Sequence, residues 1–366
     1  MSLPILWDKD IDAAPLAGLK IGILGYGNQG RAQAQNLRDG GHAVRAGLRA
    51  GSPSRARAAA DGIDSAPPDE VARWADLLMV LVPDEEQPAL LAALAGDLDA
   101  GRPRAIGFAH GFNVTYERVA LPPTGGVFLV APCAPGDRLR DAYQRGGGVF
   151  AYVAVARDPD RRTRDLALAY ARALGCGRAG VLETTFREET EVDLFGEQAV
   201  LCGGLHALLT AAFDTLVAAG YSPEMAYLEC HDQMAWLATT VRAAGIAGTR
   251  RRISSTALFG DLTRGPRVIG AEARAAMQAL LAEIRRGDFA RDFLADMVAG
   301  RPRTRAELAR LDAHPMEEVG RRLRAARSPG AGQAASETPA PGPETGAAGG
   351  TNGWNQGGLT GSERQY

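Results

Sequence analysis

Apolar residues follow one spacing up to about residue 182 and another after it. In the first part, short apolar runs rich in β-branched residues alternate with amphipathic stretches, which is typical of a parallel sheet covered by helices. We predict helices over 29–39, 69–74 and 87–95. We predict strands over 19–24, 42–48, 75–82, 104–108, 126–131 and 148–156, the last two of which close the sheet.

The second part has helical spacing with few strand signals. From residue 328 onward Gly, Pro, Ala, Ser and Thr predominate and leave little to bury, so we predict a disordered tail. The domain prediction is therefore an α/β domain over 1–182, an all-helical domain over 183–327 and a low-complexity tail over 328–366. The helices are predicted over 190–219, 223–244, 271–286, 291–298 and 303–327.

Composition excludes several classes of protein. The 366 residues are 46% hydrophobic and 23% charged, as in an ordinary globular protein. A net charge of −2 does not indicate the basic surface that binds nucleic acid. No apolar run approaches the roughly 18 residues that cross a bilayer, and the N-terminus lacks the features of a signal peptide. The four cysteines (133, 176, 202 and 230) show no metal-binding spacing. We expect a reduced, cytoplasmic protein with neither a nucleic-acid nor a membrane partner.

A glycine-rich turn follows the first predicted strand and opens a helix. Its residues are Gly25, Tyr26, Gly27, Asn28, Gln29 and Gly30. The strand–glycine–helix–strand context makes this a dinucleotide-binding motif, in which the glycines permit a tight turn, a close approach to a pyrophosphate and close helix packing. We therefore predict a Rossmann-type domain, with the pyrophosphate at the helix N-terminus.

Cofactor choice is predicted at the end of the second strand. NAD sites usually have Asp or Glu there, whereas this chain has Arg49, Ser52 and Ser54 and no acid, which favours NADPH over NADH. Sites in such folds lie beyond the carboxyl ends of the strands, which places His110 and Cys133 at the cofactor cleft. We assign Pro83, Asp84 and Gly136, which also follow strands, to cofactor binding.

An acidic run with apolar neighbours begins the helical part. Asp193 and Glu197 stand four residues apart, so on a helix both carboxylates leave one face. Leu194, Phe195 and Ala199 surround them, and burial of two like charges without a counter-charge is costly. A solvated acidic face is the more common explanation of such a pair, but here a metal ion or a basic partner is implied.

Taken together, these motifs resemble those of ketol-acid reductoisomerases, also called acetohydroxy acid isomeroreductases, in the short form with one helical domain. The resemblance covers roughly residues 6–326. It rests on Trp7-Asp8-Lys9-Asp10, Ile23 to Gly30, Leu81-Val82-Pro83-Asp84-Glu85, Ala109 to Asn113, Glu183-Thr184-Thr185-Phe186, Asp193 to Gly204, Ser254 to Ala257 with Gly260-Asp261, and Gly265 to Ile269.

The resemblance implies an activity, cofactors and an assembly. Members of this family use NADPH and two Mg²⁺ ions to rearrange 2-acetolactate or 2-aceto-2-hydroxybutyrate and to reduce the product in branched-chain amino-acid synthesis. It implies Asp193 and Glu197 as ligands of the first Mg²⁺, His110 as the active-site histidine and Ser254 as a group for the substrate carboxylate. It also implies a knotted, dimerising helical domain, and hence a homodimer or a larger homo-oligomer.

Two positions depart from the family's pattern. Cys133 stands where the family has a lysine, which brings a fixed positive charge and three donors. A second pair of family glutamates falls on Glu229 and Gln233, so one of the two metal-site carboxylates is replaced by a neutral amide. Both changes fall on the machinery of the alkyl shift. Cys133 is a small apolar filler rather than a nucleophile, since no histidine is evidently paired with it.

Three functional hypotheses follow from this combination. The first is an ordinary ketol-acid reductoisomerase that tolerates both changes. The second is a diverged paralogue in a specialised pathway that reduces a 2-keto acid with NADPH but has weak or no isomerase activity. The third is a non-catalytic homologue that binds NADPH. Asp193, Glu197 and His110 argue against the third, because nothing structural needs them.

Overall fold

The computed structural model describes residues 3–99, 104–121 and 124–326. The tail predicted from residue 328 lies outside this range. The strands are β1 (Ile5–Leu6), β2 (Lys20–Leu24), β3 (Ala43–Gly47), β4 (Asp64–Ala66), β5 (Leu77–Val80), β6 (Ala105–Phe108), β7 (Gly126–Pro132), β8 (Ala151–Arg157) and β9 (Val181–Glu183).

Helices connect these strands and then make up the second half of the chain. Those among the strands are α1 (Asn28–Asp39), α2 (Ser54–Ala60), α3 (Pro68–Trp74), α4 (Gln87–Ala93), α5 (Ala95–Asp99), α6 (Phe112–Thr115), α7 (Gly136–Gln144) and α8 (Thr163–Ala173). Those after the strands are α9 (Phe186–Gly196), α10 (Gly203–Ala218), α11 (Pro223–Tyr227), α12 (Met234–Arg250), α13 (Ser255–Val268), α14 (Ala271–Arg286), α15 (Asp288–Val298), α16 (Pro302–Asp312) and α17 (Pro315–Ala326).

The strands form one sheet in the order β1-β9-β8-β7-β6-β5-β2-β3-β4. Six neighbouring strands, β7-β6-β5-β2-β3-β4 in spatial order, run parallel. This is the arrangement of a dinucleotide-binding domain. Buried side chains cover both faces, and Ile21, Leu77 and Phe128 on one face have no exposed surface. The predicted Rossmann-type domain is confirmed.

The far edge of the sheet differs from the prediction. The strand predicted over 148–156 is β8, which runs antiparallel to β7 and does not close the sheet. Beyond it lie β9, which is parallel to β8, and β1, which is antiparallel to β9. Strands of two and three residues are too short for a periodic pattern, and only their pairing identifies them.

The chain divides into two compact units. Of the described residues, those in 3–211 and 260–312 make up the first unit, and those in 212–259 and 313–326 make up the second. The second unit has its own small core. The predicted helical character of this half is confirmed, whereas the predicted domain boundaries stay predictions. The buried side chains of that core are Phe213, Ala226, Tyr227, Met316 and Val319.

Two helices contain a turn of π-helix. The segments Glu197–Leu201 and Leu228–Asp232 each have the wider i→i+5 geometry. Such turns are rare and are frequent at functional sites. The first begins at Glu197, one residue of the carboxylate pair, and the second contains Glu229, the remaining carboxylate of the second pair of positions.

One helix among the described residues, Phe186–Ala218, is long and apolar enough to cross a membrane by length and composition. This differs from our expectation, because α9, the π-turn and α10 join into a single run of 33 residues. One such helix is weak evidence for a membrane protein, since core helices of soluble proteins have the same length and composition.

Candidate active site

A cleft of about 850 Å³ lies at the carboxyl ends of β2, β3 and β5. This is the edge at which nucleotides bind in such sheets. Gly30 and Gly136 are not among its lining residues but lie beside it. The sequence-predicted residues that line the cleft are Gly25, Tyr26, Gly27, Asn28, Gln29, Arg49, Ser52, Ser54, Pro83, Asp84 and His110.

Gly25 and Gly30 of the turn, and Gly136 beside it, are required by close contacts of the backbone, whereas a Cβ on Gly27 would meet nothing within 4 Å. Gly25 has φ +99°, and a Cβ there would lie 2.7 Å from the carbonyl oxygen of Leu81. A Cβ on Gly30 would lie 2.4 Å from the carbonyl oxygen of Gly25, and one on Gly136 only 2.1 Å from that of Asn28. Side chains are therefore excluded from the floor of the cleft, which leaves the N-terminus of α1 open to a pyrophosphate.

The polar side chains of the cleft have different tasks. Arg49 extends into solvent with its side chain 78% exposed, whereas the neighbouring Arg55 donates to the carbonyl oxygens of Leu48 and Arg49. Arg49 is thus available to a ligand, and Arg55 fixes the loop. The Tyr26 side chain points into the core, where its hydroxyl donates to Asp61.

A second cavity, of about 360 Å³, adjoins the cleft. Asp84 and His110 line both spaces, so a cofactor in the cleft and a small molecule in the cavity would meet at these two side chains. The cavity combines carboxylates with aromatic and aliphatic side chains. Its lining residues are Asp84, His110, Phe112, Asp193, Leu194, Glu197, Phe289 and Phe293.

His110 stands between two carboxylates. Its Nδ1 lies 2.8 Å from Oδ2 of Asp84, and its Nε2 lies 3.5 Å from Oδ2 of Asp193. Burial alone would lower the pKa of His110, but the hydrogen bond with Asp84 and the charges of Asp84, Glu189 and Asp193 raise it to about 9. The buried Nε2 makes no hydrogen bond, and with the Asp193 carboxylate 3.5 Å away its N–H can still donate to a ligand in the cavity.

Glu189 is a site residue that the sequence analysis missed. It is only 5% exposed, and its Oε2 accepts a hydrogen bond of 2.9 Å from the backbone N–H of Gly111. Burial raises its pKa to about 7, although the charge of His110 and the Gly111 N–H act in the other direction. The available signal was its place four residues before Asp193, one turn away on the same helix face.

The pKa of Glu189 makes the stability of the metal-free protein depend on pH. The unfolded chain loses this proton near pH 4.5 and the folded chain near pH 7, so stability falls as pH rises through that window. Glu189→Gln should therefore stabilise the protein by about 3 kcal/mol at pH 8 and leave it nearly unchanged at pH 4.5. Chemical denaturation with EDTA at both pH values measures this. A variant less stable at pH 8 would mean that the charge of Glu189 supports the fold through His110.

The Asp193 and Glu197 carboxylates fit a hard divalent cation, although both residues are exposed in the single chain, the Asp193 side chain by 49%, so the burial expected from the sequence is only partial. Partial burial raises the pKa of both, and the charge of Asp193 adds to the effect on Glu197. A cation between them would reverse this repulsion, and oxygen ligands are those that Mg²⁺ prefers. No group of three or more His, Cys, Asp or Glu side chains with metal-binding geometry occurs in the described ranges. The fit is thus to an ion that takes two carboxylates and keeps several waters.

Cys133 lies outside both cavities and beside Tyr152. Ala131 pairs with Tyr152 across β7 and β8, and the N–H of Cys133 donates to the carbonyl oxygen of Phe150. The Cys133 and Tyr152 side chains therefore leave the same face of the sheet. They form a hydrogen bond with each other. Burial raises the pKa of the thiol to about 11, and the charges of Asp193 and Glu189 add to the increase. The thiol is neutral at pH 7, which does not favour a nucleophile, but Cys133 is exposed, which does not favour an apolar filler either, so its role stays a prediction.

The other predicted site residues belong to the second unit. Gln233 Nε2 donates to Glu229 Oε2 over 2.6 Å, so this amide holds the carboxylate through a direct hydrogen bond. The Ser254 hydroxyl accepts from the N–H of Ala257 over 3.2 Å, as a residue at the start of a helix does. Both sites are solvent-exposed in the single chain.

Comparisons with known proteins agree along the whole described chain. Residues 15–180 match the family model of the acetohydroxy acid isomeroreductase NADPH-binding domain, and residues 186–329 match that of the ketol-acid reductoisomerase C-terminal domain. The chain is similar to an NADH-preferring ketol-acid reductoisomerase from an uncultured archean, with 39% identity and a TM-score of 0.86. That match covers 89% of this chain and all of the other.

More distant structures share the fold alone. A semialdehyde dehydrogenase NAD-binding protein from Cupriavidus necator, in complex with calcium and NAD, is 17% identical with a TM-score of 0.55. It matches over 73% of this chain and 99% of its own. A putative oxidoreductase from Jannaschia sp. CCS1 is 14% identical with a TM-score of 0.54, over 74% of this chain and 97% of its own.

Proposed function

Because the chain belongs to the ketol-acid reductoisomerase family, we propose that the cavity between His110 and the Asp193–Glu197 pair is where it rearranges and reduces its substrate. Enzymes of this family convert 2-hydroxy-3-keto acids in branched-chain amino-acid synthesis, and a non-catalytic role is not favoured. The observation that carries the proposal is the shared wall of the two cavities, where Asp84 and His110 face both.

The side chains of the cavity have distinct tasks. Asp84 fixes the His110 ring through Nδ1 and thereby aims the N–H on Nε2 into the cavity. That N–H can donate to a developing negative charge on a substrate oxygen and release its proton there. Phe289 and Phe293 exclude water from the opposite wall.

Asp193 and Glu197 would hold Mg²⁺ through their carboxylate oxygens. When bound, the ion supplies Lewis-acid polarisation of the substrate ketone, which the alkyl shift requires. The protein holds the two oxygens one helical turn apart, and the π-turn that begins at Glu197 sets the direction of the second. The positive charge on His110 lies 3.5 Å from Asp193 and limits the repulsion when the carboxylates are alone.

The cofactor is a nicotinamide nucleotide, and we propose NADPH as the preferred form. Arg49 is exposed at the end of β3, and Ser52 and Ser54 line the same part of the cleft. A guanidinium with two hydroxyl groups suits a 2′-phosphate. The similar archaeal enzyme is described as NADH-preferring, so this choice has to be measured for each chain.

Cys133 and Gln233 decide whether the alkyl shift is efficient. The first experiment compares NADPH oxidation with Mg²⁺ on 2-acetolactate and on its rearranged product, 3-hydroxy-3-methyl-2-ketobutyrate. We expect both to be consumed, the first more slowly, because a thiol and an amide replace a cation and a carboxylate. Consumption of the rearranged acid alone would identify a reductase that has lost its isomerase half. Consumption of neither, with NADPH still bound, would contradict the proposal.

Restoring the family residues separates the two steps. Cys133→Lys with Gln233→Glu should raise turnover of 2-acetolactate by about tenfold and change that of the rearranged acid little, since both restored groups serve the shift. Val298→Lys is a matched control, because it adds the same side chain at a position that is 90% exposed and lines neither cavity. Equal gains on both substrates would assign these positions to reduction instead.

We also propose a homodimer or larger homo-oligomer. Many large apolar side chains of the helical half are exposed in the single chain, among them Trp236 (61%), Phe259 (64%) and Met225 (64%). Exposed apolar surface of this extent marks interfaces between proteins. A partner copy could also bring Glu229 and Ser254 to the site. Sedimentation that gave only monomer at micromolar concentration would contradict this proposal.

A further inference from the structure

Three consecutive acids after β5 contact three different parts of the first unit. Asp84 pairs with His110, Glu85 pairs with Arg301, and Glu86 approaches Arg49. The backbone of this loop is fixed, because the N–H of Glu86 donates to the carbonyl oxygen of Pro83 over 2.9 Å. Two of the acids are thus held by partners, and the third faces the cofactor cleft.

Glu86 and Arg49 face each other across the nucleotide cleft. Nη2 of Arg49 lies 3.4 Å from Oε2 of Glu86, and both residues line the cleft. Their side chains are 78% and 44% exposed, so the ion pair contributes little and opens readily for a ligand. The site of the adenosine ribose therefore has a cation on the β3 side and an anion on the β5 side.

The Glu86 side chain supplies the carboxylate that is missing at the end of β3. Dinucleotide-binding domains that use NADH have an acid at the end of the second strand, which accepts hydrogen bonds from the ribose hydroxyls. Here that place is taken by Arg49, but the Glu86 carboxylate reaches the same guanidinium from the opposite side. Resting on the cofactor role proposed above, we propose that Glu86 determines cofactor preference: it accepts hydrogen bonds from the ribose hydroxyls of NADH and opposes the 2′-phosphate of NADPH.

Opposite effects on the two cofactors follow from this arrangement. A 2′-phosphate beside Glu86 has to displace the carboxylate from Arg49 and then remains near a like charge. NADH has hydroxyl donors at the same place and leaves the Arg49–Glu86 pair intact. The chain should therefore bind both cofactors, with a smaller preference for NADPH than Arg49, Ser52 and Ser54 alone would give.

Equilibrium binding of the two reduced cofactors tests the proposal without turnover. Cofactor fluorescence in titrations of the full chain gives Kd for NADPH and NADH. Glu86→Gln should lower the Kd for NADPH about threefold to fivefold and raise that for NADH about fivefold. The gain for NADPH should shrink in 1 M salt, where exposed charges are screened. Glu307→Gln is the matched control, because Glu307 also pairs with an exposed arginine, Arg310, outside the cleft.

A second background separates direct contact from an effect through the arginine. In Arg49→Ala, Glu86→Gln should still weaken NADH, since the ribose hydroxyls lose their acceptor. If Glu86 acts only by neutralising Arg49, adding Glu86→Gln to Arg49→Ala should leave the Kd for NADH unchanged, and this result would overturn the proposed ribose contact. The proposal is also overturned if Glu86→Gln alone changes the two Kd values no more than Glu307→Gln does. Failure of the unmodified chain to bind either cofactor would instead overturn the proposed function itself.

Discussion

Asp193→Asn should lower kcat/KM for the complete reaction on the order of 10³-fold, with NADPH affinity unchanged. The change keeps the shape of the side chain and removes one of two carboxylates that would hold Mg²⁺, and metal polarisation of a ketone contributes several kcal/mol. Asp193 lines the smaller cavity and not the nucleotide cleft, so the affinity for NADPH should not change. Steady-state kinetics with a Mg²⁺ titration and a separate NADPH titration measure both quantities.

Glu191→Gln provides the control on the same helix. Glu191 pairs with Arg187 and Arg285 and does not line the cavity, so this substitution removes an equal charge from α9 without touching the site. Its kcat/KM should stay within about threefold of the unmodified enzyme. A loss in Asp193→Asn no greater than in Glu191→Gln would show that the pair does not hold the metal.

His110→Gln should have the second largest effect, a loss of about 100-fold or more in kcat on both substrates. Glutamine fills a similar volume, but it carries no proton that it can transfer. Asp84→Asn, which leaves the histidine and removes the carboxylate on Nδ1, should lose less, about tenfold, because the ring stays in place but is no longer held as a cation.

A pH profile distinguishes proton donation by His110 from a purely structural role. In the unmodified enzyme, activity should fall on the alkaline side as His110 loses its proton, and this limb should move to lower pH in Asp84→Asn, since Asp84 raises the pKa. If His110 only fills space, the alkaline limb should be the same in the unmodified enzyme and in Asp84→Asn.

Local rules made part of the α/β domain predictable: of the described elements, six of the nine strands were predicted, but only α1, α3 and α4 of the eight helices among them. The strands and glycine turn depend on residues that are neighbours in sequence, so the predicted strand over 19–24 differs from β2 by one residue. His110 and Asp84 could be placed at the cleft because the carboxyl ends of parallel strands share one edge. Helix α13 (Ser255–Val268) was not predicted, since it contains Gly260, Gly265 and Pro266, which usually interrupt helices.

The parts of the site that the sequence did not reveal depend on non-local packing. Glu189 is buried because the backbone of Gly111, which comes 78 residues earlier, lies against it. Tyr152 stands beside Cys133 because β8 pairs antiparallel with β7, whereas a parallel register would place another residue there. Arg49 and Arg55 look alike in sequence, and only the hydrogen bonds of Arg55 to two backbone carbonyls distinguish them.

The π-turn at Glu197–Leu201 has a consequence for how this helix can change in evolution. A π-turn amounts to one extra residue in an otherwise α-helical path, so it is a tolerated insertion. Because the wider turn absorbs that extra residue, deleting one residue there would restore a regular helix and keep the later side chains near their present directions. A deletion in the regular turns of α10 would instead turn every later side chain by about 100° about the helix axis. The length of this helix can therefore change at the π-turn next to Glu197, but not in the regular turns that follow.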